Sequence, residues 1–77
     1  MKDLLVTIVK AIVDSPDEVK VNVVESDTTR IFELTGVKDD LGKVIGKRGK
    51  NVGAIRVLIS AANAKEGGKR AILEIIE

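Results

Sequence analysis

A chain of 77 residues has room for one small domain around one hydrophobic core. With 44% hydrophobic and 32% charged residues it reads as a folded domain, not a disordered or membrane-embedded one. It contains no cysteine and no histidine, which excludes disulfides and Cys–His or Ser–His nucleophilic catalysis and argues against zinc, while its net charge is only +1.

In chain order, Leu4, Leu5, Ile8, Val9 and Ile12 recur at helical spacing until Asp14-Ser15-Pro16, which predicts an amphipathic helix over residues 2–13. The run Leu4–Val9 is too short to span a bilayer, is interrupted by Thr7 and is not followed by a small-residue cleavage site, so the expected location is cytoplasmic. Val19, Val21 and Val23 alternate with Lys20 and Asn22. After the polar turn Glu25–Thr29, Phe32 and Leu34 alternate with Glu33, and the two runs predict a β-hairpin. Asp39 or Asp40 can cap a short helix, Leu41–Ile45, ended by Gly46 and Gly49, and a longer helix follows over Lys50–Ala64. Gly67-Gly68 breaks it, and Ala71, Leu73 and Ile75 mark a closing strand over Lys69–Ile76. The order is α-β-β-α-α-β in one domain, residues 1–77, without repeats or linkers.

The stretch Val44-Ile45-Gly46-Lys47-Arg48-Gly49-Lys50-Asn51 lies at the junction of the two central helices. Glycine lets a backbone approach a ligand closely, and a helix start offers N–H groups to an anion, so this is a candidate phosphate clamp. Residues 1–42 hold five cations and nine acids, whereas residues 43–65 hold six cations and no acid. Such a field favours a polyanion, although a basic helix face is as often only solvated. Gly42 and Gly46 enclose three residues where a Walker A loop needs four, and Arg48 stands where Ser or Thr would hold magnesium. The expectation is therefore a non-enzymatic protein without cofactor or metal.

A β-α-α-β core with Ile-Gly-x-x-Gly between its helices, preceded by a helix and strand, resembles a type II KH domain. More narrowly, Val13-Asp14-Ser15-Pro16-Asp17-Glu18-Val19, Glu33-Leu34, Gly42-Lys43-Val44-Ile45-Gly46-Lys47-Arg48-Gly49 and Ala54-Ile55-Arg56 resemble the small bacterial single-KH proteins of the KhpA family. The resemblance implies an α+β fold, a three-stranded sheet with three helices on one face. It also implies a clamp on short single-stranded RNA, as in a post-transcriptional regulator or RNA chaperone. Carried over, Gly46 and Gly49 shape the loop, and Lys47 and Arg48 meet phosphates beside Lys43 and Lys50. Val44, Ile45 and Val52 wall an apolar groove, with Phe32 or Leu34 and the Ala64–Gly68 loop opposite; for Val44 and Val52 plain core burial is the other reading. With one Phe and no Trp or Tyr, the chain lacks the stacking platforms of RRM and OB-fold proteins. Single-stranded DNA binding, or a KH-fold protein-interaction module, are the alternatives.

Apolar residues of the 50–64 helix cover an arc of roughly 240°, where packing on a sheet needs about 100°. If Ile55, Leu58, Ile59 and Ala62 face the core, then Ala54, Val57, Ala61 and Ala64 form a spare stripe. Either the first helix covers that stripe, or it is a self-association surface. The KhpA resemblance implies the second, with homodimers and pairing with a second KH-containing protein.

Overall fold

The computed structural model describes residues 1–77. Helix α1 (Lys2–Lys10) leads into β1 (Lys20–Glu25) and β2 (Thr29–Thr35), followed by α2 (Lys38–Ile45), α3 (Lys50–Lys65) and β3 (Arg70–Ile75). The strand order is β1-β2-β3, antiparallel between β1 and β2 and parallel between β2 and β3. The parallel pairing requires a crossover, which α2 and α3 supply.

Strand alternation sorts the sheet into two faces. Val21, Leu34 and Ile75 form one cross-strand row on the inner face, and Val23, Phe32 and Leu73 form the next. Against them pack Leu5 and Val9 of α1, Leu41 and Val44 of α2, and Val52, Ile55 and Ile59 of α3. All three helices thus share one face, as the KH resemblance implies, and burying each of these large side chains contributes roughly 1.5–3 kcal/mol. The other face carries Asn22, Glu33 and Glu74 beside Val24, Ile31 and Ile72.

Two acidic positions behave differently from expectation. Neither Asp39 nor Asp40 caps α2, whose N-cap is Val37 with no side-chain hydrogen bond. Asp40 is instead buried, and its carboxylate accepts from the backbone N–H groups of Asp14 (3.2 Å) and Ser15 (3.0 Å). A carboxylate that takes two N–H donors is satisfied below the surface, and here it pins the α1–β1 connection to α2. Helix α1 accordingly gives way after Lys10 to one looser turn, in which Ile12 and Val13 both donate to the Val9 carbonyl.

Candidate nucleic-acid interface

Helix α2 ends because Gly46 takes φ +74° and ψ 171°, a conformation essentially confined to glycine. Its Cα has no room for a side chain either, since a Cβ would lie 2.6 Å from Asn51 Cγ. Asn51 is there because its Nδ2 donates to the Lys43 carbonyl at 2.9 Å, closing the last turn of α2 with a side chain from α3. Residues 47–49 form a single tight turn in which the Gly49 N–H donates to the Gly46 carbonyl at 3.0 Å. Gly49 is left-handed (φ +73°, ψ 15°), and so is Arg48 (φ +58°, ψ 26°). A left-handed arginine is held against its own preference by roughly 1 kcal/mol, which the sequence did not reveal.

This turn lifts Lys47 and Arg48 into solvent, and neither they nor Lys50 is in an ion pair. Helix α3 starts beside them with no side-chain cap, leaving the positive end of its dipole for an anion. Lys43 is engaged elsewhere: its ammonium bonds the Asp14 carboxylate, which raises its pKa above the usual lysine value.

Of the apolar candidates, Val44 is completely buried and Val52 nearly so; both belong to the core, and only Ile45 has surface to offer. Phe32 and Leu34 do not form the opposite wall. They lie on the central strand, buried under the helices, because β3 and not β2 is the edge strand next to α3. Along that edge runs a cavity of about 470 Å³ between Arg56, Ser60, Asn63 and Ala64 of α3 and residues 68–73. Arg56 Nη2 donates to the Leu73 carbonyl on the unpaired side of β3 at 3.3 Å. The cavity side of α3 continues at spacings of three and four through Gly53 to Gly49, so groove and loop lie on one helix face. Arg56, Ser60, Lys69 and Arg70 were absent from the expected groove; of the cations among them only Arg56 falls within the basic stretch of residues 43–65. Ala64 and Gly68 also line this cavity.

The outward face of α3 is wider than the spare stripe alone. Ala54, Val57, Ala61 and Ala64 are all exposed, Val57 at 68%, so α1 does not cover the stripe. Leu58, expected in the core, is 52% exposed and extends it. Asn63, a polar residue on this helix, is buried at 3%, with Nδ2 donating to the Lys69 carbonyl and Oδ1 accepting from Arg30 Nη1 at 3.3 Å.

A β-α-α-β core with a left-handed Gly-Lys-Arg-Gly turn between its helices, and a helix–strand extension ahead of it, defines a KH domain. The sequence model of the KhpA/KhpB KH domain matches residues 2–75, and the chain belongs to that family, which is not an enzyme family. It is 51% identical to the RNA-binding protein KhpA of Clostridium acetobutylicum over 99% of this chain and 100% of that one. It is 43% identical to RNA-binding protein KhpA of Listeria monocytogenes over the full length of both chains. With RNA-binding protein KhpA of Borreliella burgdorferi it shares 45% over 97% of this chain and 90% of that one. No solved structure matches significantly. No helix is long and apolar enough to cross a membrane.

Proposed function

We propose that residues 1–77 act as one KH module that binds short single-stranded RNA in the cytoplasm, in a post-transcriptional role. The observation that carries this reading is the exposed, left-handed turn Gly46–Gly49 on the same face of α3 as the groove beside β3. Lys47, Arg48 and Lys50 meet phosphates, with Lys43 adding to the field from its pair with Asp14. Ile45 covers the apolar side, and bases lie toward Arg56 and the free edge of β3. The names of the curated relatives point to the same ligand. Competition among a single-stranded RNA octamer, the same DNA sequence and duplex RNA tests it. Single-stranded RNA should compete best; equal competition by DNA favours the single-stranded DNA reading, and equal competition by duplex overturns both.

Gly53 sharpens the geometry. It sits in α3 with ordinary backbone angles and no atom within 4 Å of a would-be Cβ, so packing does not demand glycine there. Gly53→Ala should raise stability by roughly 0.5–1 kcal/mol in urea denaturation and yet weaken RNA binding, because the added methyl stands on the groove face. A variant that gains stability and binds RNA as tightly as wild type removes Gly53 from the contact surface.

A four-nucleotide footprint without aromatic stacking binds weakly, and joining two modules raises avidity through effective concentration. The stripe Ala54, Val57, Ala61 and Ala64 with Leu58 offers small side chains across which a second α3 can approach closely. This supports a homodimer, or pairing with a second KH-containing protein, through α3. Ala61 is exposed, so Ala61→Glu should leave the fold intact and shift sedimentation from dimer to monomer. An unchanged mass in solution would sink the α3 interface.

A further inference from the structure

We infer that Arg30 is a positioning residue for the RNA groove, strapping down the loop between α3 and β3 and so fixing the end of the groove remote from Gly46–Gly49. The inference rests on the RNA-binding reading of that groove. Arg30 stands near the start of β2, and its guanidinium meets acceptors on three separate segments. Its Nε bonds Glu25 at the end of β1, while Nη1 lies 3.3 Å from Asn63 Oδ1 on α3 and 3.6 Å from Glu66 Oε2 in the loop. Asn63 lines the groove and passes the restraint on, since its Nδ2 donates to the Lys69 carbonyl. The Lys69 ammonium lies 3.6 Å from the second oxygen of Glu25. Both ends of the loop, Glu66 and Lys69, are thereby tied to one arginine–carboxylate pair.

Between those ties lie Gly67 and Gly68, with φ of +130° and +84° and open space around both. A diglycine hinge has no restraint of its own, so the loop's place depends on its anchors. The Met1 ammonium, 3.5 Å from Glu66 Oε1, adds one further exposed contact. Arginine suits the role because its planar fork serves several acceptors at once, which a lysine ammonium on a flexible stem does not. Without it, Asn63 Oδ1 loses its partner at a buried site, and Glu25 and Glu66 lose their shared cation.

The test compares Arg30→Met and Glu66→Gln with wild type at a temperature where circular dichroism shows each folded. Affinity for a single-stranded RNA octamer is measured by fluorescence anisotropy across a salt series, and amide exchange is measured on the free protein. Arg30→Met should weaken binding roughly three- to tenfold, with Glu66→Gln shifting it less in the same direction. Exchange should quicken at residues 64–69 and nowhere else. The salt slope should stay as in wild type, since Arg30 faces protein acceptors and not phosphate. A folded Arg30→Met protein with wild-type affinity overturns the inference. So does a slope shallower by about 0.7, the mark of a lost phosphate contact on a single strand. If Arg30→Met does not fold, Glu66→Gln decides by the same criteria. If wild type binds no RNA, the grip reading fails first, and unaltered exchange at 64–69 then overturns the strap as well.

Discussion

Replacing Lys47 and Arg48 together by aspartate should weaken RNA binding by at least about 100-fold at low salt, while the protein stays folded. Both side chains are exposed and free of ion pairs, so the fold loses no contact with them. Arg48 is left-handed, and aspartate accepts that conformation more readily than arginine, so the backbone turn is if anything relieved. The loss of binding has two parts. Two cations leave the strand, and two anions then face it across a few ångströms without a low-dielectric shield. Counterion release predicts that the slope of log affinity against log salt shallows by about 1.4, two contacts at roughly 0.7 each. Anisotropy titrations between 50 and 200 mM salt measure both quantities. Wild-type affinity with an unchanged slope would move the grip away from this turn.

Gly46→Ala should be among the most destabilising single substitutions that remove no buried side chain. The Gly46 backbone conformation costs any other residue roughly 1–3 kcal/mol. Its Cβ would also press into Asn51, 2.6 Å from Cγ, 2.7 Å from Nδ2 and 2.8 Å from Cβ. Asn51 can retreat only by giving up its bond to the Lys43 carbonyl, about 1 kcal/mol more. The sum, roughly 2–4 kcal/mol, is a large share of the roughly 4–12 kcal/mol that stabilises a domain of this size. Gly49→Ala provides the comparison. Gly49 is left-handed too, but the nearest atom to its would-be Cβ is Val52 Cγ1 at 4.0 Å, so only the backbone penalty of roughly 1 kcal/mol applies. Urea denaturation of the two variants separates them. Equal losses would mean that the Asn51 contact contributes nothing, and Asn51→Ala should then fail to rescue Gly46→Ala.

The hairpin, the three helices, the closing strand and the Gly-Lys-Arg-Gly turn were legible in the chain, because each is written in local signals. Period-two alternation marks Val21, Val23, Phe32 and Leu34, and all of them face the helices, as alternation requires. Paired glycines around two cations mark a backbone conformation that few sequences need. The family resemblance supplied a further part, the order of layers, which periodicity alone does not specify.

What remained hidden depended on residues far apart in sequence. An apolar arc of roughly 240° on α3 fixes the angles between its side chains but not which third of the helix meets the sheet. Packing against β3 and α2 turned Ile55 and Ile59 inward and left Leu58 outside. Asn63 reads as a surface residue until Arg30, thirty-three positions earlier, and the Lys69 carbonyl give a buried amide its partners. Asp40 reads as a helix cap until the Asp14 and Ser15 N–H groups reach it from the other side of the hairpin. The groove followed the same rule, since its second wall is whichever strand lies next to α3, and the parallel pairing of β3 with β2 decided that. The chain by itself determined its elements and its Gly-Lys-Arg-Gly turn, because these depend on backbone conformation and neighbours in sequence. Only the tertiary structure decided which side chains are buried, what the groove is made of and which face of α3 is left uncovered, because these depend on contacts between segments whose spacing in sequence carries no signal.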